Sequence, residues 1–310
     1  MPLLFLNEKS WATTCDHTRA DAAMVDFVDV VRAVAKEDPA ETSLVSEDGL
    51  TSLEIAKDYP IGKWIGAGPK NHARWLRLRA LQNRSPVSSV YSTPDADGHL
   101  DYRHDGEKAR GLGAAHFMDG IAVSLPVAPE WETSSVSLDR SELVELDDGL
   151  LEFEHETVDV RHVSALPHVD EYRAWIRESS LARAATGRQI WERRADLYPH
   201  LQFLPRTEGH LTDLDPRWVV PARGCLERLE AAVALWDPAT RHEPEWQTKV
   251  TPESQTRREV CRFSDLDRER RLFELHARFT PGMGRIYFRL VPEEGAIRLA
   301  HIGSKIRPDL

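Results

Sequence analysis

The sequence predicts an α+β fold, with a mixed N-terminal region followed by a small C-terminal antiparallel sheet. Three observations point there. Residues Asp21 to Lys36 place Met24, Phe27, Val28, Val31 and Val34 at helical spacing, with Asp26, Asp29 and Arg32 off that stripe. The last forty residues, Arg271 to Leu310, alternate apolar and polar side chains with the period of two that belongs to strands. A polar stretch at 237–256, interrupted by Pro238, Pro244 and Pro252, separates the two patterns and sets an expected division into residues 1–240 and 250–310.

The elements follow in order. Pro2 to Leu6 is a short apolar run and reads as a strand. Asp38-Pro39 closes the first amphipathic helix. Thr51 or Ser52 caps a short helix through Lys57, which Tyr59-Pro60 ends. Gly62, Gly66, Gly68 and Pro69 form a loop. His72 to Gln82 is a helix with Trp75, Leu78 and Leu81 on one side and Arg74, Arg77, Arg79 and Arg84 around it. Tyr91 to Gly106 is turn-rich and reads as an exposed hairpin or loop, and Gly111 to Met118 as a helix. Ile121 to Leu125 and Val136 to Leu138 are strands, and Leu150 to Val160 supplies one or two more. A helical region runs from Val169 to about Leu197. Arg223 to Leu235 is a further helix, burying Leu226, Leu229, Val233 and Ala234 and stopping at Asp237-Pro238.

The chain has 310 residues, 41% of them apolar, enough for a sizeable core. Its net charge of -11 makes it a poor non-specific binder of nucleic acid as a whole. The charge is uneven. Residues 257–310 hold 12 Lys+Arg against 8 Asp+Glu, and the remainder 28 against 43. A basic end on an acidic body suits an anionic ligand at that end. Cys15, Cys225 and Cys261 are scattered, with no CxxC spacing, which argues against a disulfide framework or zinc ribbon and for a cytoplasmic protein. No run has the basic-then-apolar form of a signal peptide or the ~20 apolar residues of a membrane span.

The C-terminal strands carry the strongest chemical signal. Phe273, Leu275, Ala277 and Phe279 alternate with Glu274, His276 and Arg278; after a Pro-Gly break, Ile286, Phe288 and Leu290 alternate with Arg285, Tyr287 and Arg289. Paired as a hairpin, these strands have one apolar face and one face gathering His276, Arg278, Arg285, Tyr287 and Arg289 toward water. Guanidinium groups hold phosphate through several donors at once. RNA cleavage by internal attack of the 2′-hydroxyl needs a base, cations for the growing phosphate charge and an acid for the leaving oxygen. His276 or His301 suits the proton transfers, and Tyr287 suits a phosphate hydrogen bond or a base stack. This scheme calls for no metal and no cofactor. The plainer reading of the same residues is a solvated hairpin face paired with Glu274, Glu293 and Glu294.

The run Phe273 to Arg278, then Gly284 to Arg289, then His301-Ile302-Gly303-Ser304-Lys305 resembles the strand core of RelE/ParE-like toxins. The resemblance covers about residues 250–310. It implies a small domain in which helices precede an antiparallel sheet, and metal-independent cleavage of ribosome-bound mRNA by basic residues with a tyrosine or histidine. By position, Arg285 matches the arginine opening the family's Arg-Ile strand, Lys305 the basic residue after the last strand, and Arg278 the basic position of the preceding strand; His276 and His301 are looser matches. The strand-face reading and the resemblance together set the expectation of catalysis by His276, Arg278, Arg285, Tyr287 and His301, and of phosphate binding by Arg278, Arg285, Arg289 and Lys305. It also implies a protein partner in a toxin–antitoxin or antiviral defence system of bacteria. The helical hairpin that precedes the family's sheet is not evident at 237–256, which leaves Arg223 to Leu235 to serve as one of its helices.

The alternative expectation is a non-catalytic binding or regulatory subunit of a defence complex. A third is a Mg²⁺ nuclease on Asp147, Asp148, Glu152, Glu154 and Glu156, although position 155 is His where a partner lysine belongs. Gly111-Leu112-Gly113 lacks the Lys-Ser/Thr of a phosphate loop, and Ser124 lacks a nucleophile-elbow context. The arginines around Trp75 face solvent or nucleic acid.

Overall fold

Leu3–Leu6 is buried at every position, as a central parallel strand with both faces covered requires. The computed structural model describes residues 3–38, 42–82, 100–145, 150–182, 186–279 and 284–306. The fold is α+β. It divides into two units, Met1–Val144 with Glu152–Arg183, and Glu145–Leu151 with Ala184–Leu310. The second unit thus begins near residue 184 rather than 250. The helices expected to belong to the N-terminal region share a core with the C-terminal sheet instead.

In chain order the first unit, with its long hairpin, comprises β1 (Leu3–Leu6), α1 (His17–Glu37), β2 (Ser43–Val45), β3 (Glu54–Ala56), β4 (Tyr59–Pro60), α2 (Ile61–Gly66), α3 (Pro69–Gln82), β5 (Leu100–His104), β6 (Glu107–Lys108), α4 (Arg110–Phe117), β7 (Ile121–Val123), β8 (Ser135–Glu145), β9 (Leu151–Val163) and α5 (Leu166–Ala182). Its main sheet has the order β2-β1-β7-β9-β8-β5-β6. β1 is parallel to β2 and β7, and β7 to β9. α1 makes the crossover between β1 and β2; Asp16 caps it through a 2.9 Å bond from the Arg19 N–H, and Ala20, Met24, Phe27, Val28, Val31 and Val34 form its buried stripe. α4 crosses close to β1 because Gly111 has no side chain: a Cβ there would lie 2.0 Å from the Leu6 carbonyl oxygen. The helix expected at 51–57 is instead a 3-10 turn and the strand β3.

The carboxyl ends of β1, β7 and β9 are closed from within. His162 Nδ1 donates to the Thr133 carbonyl at 2.7 Å, so its Nε2 accepts from the Ser124 hydroxyl at 2.6 Å, and Ser124 Oγ accepts from Asn7 Nδ2 at 2.9 Å. All three side chains are buried, and burial lowers His162 to about 4, leaving a neutral ring to complete the chain of bonds.

The second unit runs α6 (Gly187–Leu197), β10 (Leu201–Phe203), α7 (Thr207–Thr212), α8 (Pro216–Ala234), β11 (Val250–Pro252), β12 (Arg262–Ser264), β13 (Arg270–Leu272), β14 (Leu275–Phe279), β15 (Gly284–Val291) and β16 (Ala296–Ser304). Its sheet order is β10-β16-β15-β14-β11, with β10 parallel to β16 and the other pairs antiparallel. α8 starts upstream of the expected Arg223 and carries Pro221 inside it; burial of Val219, Ala222, Leu226 and Leu229 outweighs the one helical N–H bond that proline forgoes. Among the described residues, no helix is long and apolar enough to cross a membrane.

Candidate functional site

The C-terminal hairpin pairs in the register its alternation implies, with His276 opposite Tyr287, Arg278 opposite Arg285, and Tyr287 opposite His301. One face carries Ala277, Phe279, Ile286, Phe288, Ile297, Leu299 and Ile302 into a core with α8. The other face is not open to water. A second small core, Leu204, Cys261, Phe263, Phe273, Tyr287 and Ala300, lies over it. The segment 255–261 and the β12–β13 hairpin supply this cover, because their apolar residues have nowhere else to be buried. The expected water-facing row is therefore largely internal: His276, Arg285 and Tyr287 are buried and Arg278 is half-buried.

Each of these residues has definite surroundings. Tyr287 donates to Glu253 Oε2 at 3.0 Å, and Glu253 pairs with Arg257 at 3.2 Å. Burial and the Glu253 charge push the Tyr287 phenol up, so it stays a proton donor to that carboxylate. His276 Nε2 lies 3.2 Å from Thr251 Oγ1, and burial, with the Arg285 charge next, lowers the imidazole to about 4. Arg289 does not face a ligand. Its Nη2 and Nε reach Asp265 Oδ2 at 2.6 and 2.8 Å, and Arg298 Nη1 reaches Oδ1 at 2.8 Å. A fully buried carboxylate demands such partners, so the phosphate-binding role read for Arg289 gives way to an internal ion pair.

His301 and Lys305 do reach an open site. They line a pocket of about 450 Å³ with Arg206, His210, Phe263, Ser304 and Ile306. The His210 and His301 rings meet edge to face at 4.7 Å, and His301 continues to Tyr287 at 5.8 Å and Tyr287 to His276 at 5.3 Å. An aromatic row thus leads from the pocket into the buried polar cluster. Arg206 lies over Phe263 at 4.3 Å, which orients its guanidinium at the rim. His301 Nε2 donates to the Ser304 carbonyl at 2.9 Å, leaving Nδ1 as the acceptor. Burial lowers both imidazoles, His210 to about 4, where the His301 and Arg206 charges add to the effect. His210 Nδ1 is buried with no hydrogen-bond partner among the described residues. The pocket thus combines two neutral imidazoles with two fixed cations.

Arg206 and His210 escape the sequence reading because they precede the strand pattern by some seventy residues and join it only through the parallel pairing of β10 with β16. The acidic alternative divides: Asp147 and Asp148 lie outside the described residues, and Glu152, Glu154 and Glu156 stand exposed on β9. Among the described residues no three His, Cys, Asp or Glu side chains gather as a metal site. No family model, curated protein or solved structure matches the chain.

Proposed function

We propose that the second unit is an RNA-directed endonuclease of the metal-independent, toxin-like kind, acting at the Arg206–His210–His301–Lys305 pocket. The observation that carries this reading is a pair of imidazoles in edge-to-face contact, lining one open pocket with the cationic side chains Arg206 and Lys305. Arg206 and Lys305 hold the scissile phosphate. His301 Nδ1 takes the proton of the 2′-hydroxyl as its oxygen attacks phosphorus. The P–O5′ bond breaks, and the Lys305 ammonium supplies the proton the leaving 5′-oxygen requires. The products are a 2′,3′-cyclic phosphate and a 5′-hydroxyl. Arg278 and Arg285 act from behind the pocket as a source of positive potential, with Tyr287 and His276 as the link between the two. Helices α7 and α8 ahead of the antiparallel strands support the toxin-like reading. The expected setting remains cytoplasmic, with ribosome-bound mRNA as substrate and a restraining protein partner.

The test uses purified protein with translating ribosomes and mRNA in excess EDTA. Cleavage that persists in chelator and falls about 10²–10⁴-fold in His301→Ala and in Lys305→Ala supports the proposal. Intact mRNA in every ribosome state removes it. The burial of His276, Arg285 and Tyr287 favours one second reading, a non-catalytic binding subunit whose sheet is purely structural. That reading predicts stable co-purification with a partner and wild-type behaviour of His301→Ala.

A further inference from the structure

From Tyr59 to Pro94 the chain has no Asp or Glu, although 51 of its 310 residues are acidic. The described part of this stretch contains α3, whose Lys70, Arg74 and Arg77 recur at i, i+4 and i+7 and so fall on one stripe about 10 Å long. The stripe flanks the buried side of the helix, Trp75, Leu78 and Leu81. Across from it lies the solvent side of α1. Arg32, Lys36 and Asp29 of α1, Arg77 of α3, and apolar residues including Ala33, Ala80 and Leu166 line one open groove of about 620 Å³.

The ionic state of this groove departs from the rest of the unit. Elsewhere most of the arginines are neutralised: Arg110 by Glu47, Arg140 by Glu142 and Glu156, Arg161 by Asp119, and Arg173 and Arg177 by Glu37. Among the described residues, none of Lys36, Lys70, Arg74 and Arg77 has an ion-pair partner; Arg32 alone pairs, with Asp29 at 3.1 Å. Lys36, Lys70 and Arg77 are exposed and Arg74 is half-exposed. The one carboxylate among the described residues lining the groove, Asp29, is engaged by Arg32, and the cations outnumber it. Like charges held this close repel one another, and a bound polyanion relieves that cost.

We infer that the α1–α3 groove of the first unit, together with the adjoining Lys70–Arg74 stripe of α3, binds the sugar–phosphate backbone of a nucleic acid. The cations supply phosphate contacts, and among the described residues no aromatic ring lines the groove to stack on a base. Binding is therefore sequence-independent and strongly salt-dependent. The groove lies on a different unit from the pocket proposed for cleavage, and the inference does not depend on that proposal.

The experiment measures binding of a fluorescein-labelled 20-nucleotide oligouridylate to the full chain by anisotropy, between 50 mM and 200 mM salt. It is performed in an Arg206→Glu, Lys305→Glu background, so that contacts at the second unit's pocket do not enter. Replacing Lys70, Arg74 and Arg77 together by Glu is expected to weaken binding at least about tenfold and to lower the salt slope by about 2, at roughly 0.7 per lost single-strand contact. The corresponding Gln variant guards against effects of the new carboxylates, and circular dichroism checks that both variants fold. An oligothymidylate of equal length should bind within a few-fold of the RNA. Unchanged affinity and slope in both triple variants would overturn the inference. So would α3-dependent capture by phosphatidylserine vesicles with no RNA binding. Loss of mRNA cleavage activity with retained α3-dependent RNA binding would leave it standing.

Discussion

Asp265 shows how one side chain redirects a pattern of arginines. Alternation along β15 puts Arg289 on the polar side of the hairpin, which is correct, yet the guanidinium ends on a carboxylate with no exposed surface. Arg298 from β16 meets the same group. Removing the charge takes from half-buried Arg289 its carboxylate partner and from buried Arg298 one of two, Glu294 being the other, so Asp265→Asn is expected to destabilise the second unit by about 3–5 kcal/mol in urea unfolding. The Leu266 N–H, Arg298 and Arg289 hold the Asp265 carboxyl below its ordinary range, against the opposing effect of burial. A depressed folded value means that its stabilisation is present above the unfolded pKa near 4 and is lost as pH falls through the folded one.

His162 works in the opposite chemical sense. Its folded value of about 4 lies below the ordinary 6.5, so between those pH values the unfolded chain binds the extra proton. Stability of the first unit should fall by roughly 3 kcal/mol as pH drops through that window, then level off. In His162→Gln the slope should flatten; an unchanged slope would show that other groups set it. In the pocket, burial shifts His301 in the same direction, so if the proposed cleavage occurs the acidic limb of its rate profile should sit below the range of an ordinary histidine.

At the scale of elements, short segments are positioned by caps and by close approach. The helical region expected from Val169 to Leu197 is two helices, because Thr186 starts the second one. Its side chain accepts from the Gln189 N–H at 3.2 Å and Gln189 answers at the Thr186 N–H at 3.3 Å. Thr186→Ala should cost about 1 kcal/mol in thermal or urea unfolding, and Thr186→Ser should restore most of it. The strands β14, β15 and β16 were legible because alternation survives in the sequence whatever covers each face. Their cover was not. The segment 255–261 and β12–β13 are short and charged, with single buried residues such as Phe263 that show no periodicity of their own.

For the whole molecule, the important difference is where the second unit begins. Ile190, Tyr198, Leu211, Leu226, Leu229 and Val233 share one core with the three antiparallel strands. A fragment of residues 186–310 is therefore expected to fold with a cooperative thermal transition, whereas residues 250–310 alone should show none. Separating the strands from α6, α7 and α8 exposes the apolar face of the sheet. Cooperative unfolding of the shorter fragment would place the boundary back at the polar stretch.

The amino-acid order by itself determined the α+β class, the buried stripe of α1, the hairpin register that sets His276 against Tyr287, and the basic character of α3, since each rests on local period and composition. Only the tertiary structure decided which charges are buried, which face of the C-terminal sheet is covered, and that Arg206 and His210 join His301 and Lys305. Those outcomes depend on contacts between segments far apart in the chain. Burial, ion pairing and pocket shape arise from such contacts, and periodicity along a single strand or helix carries no record of them.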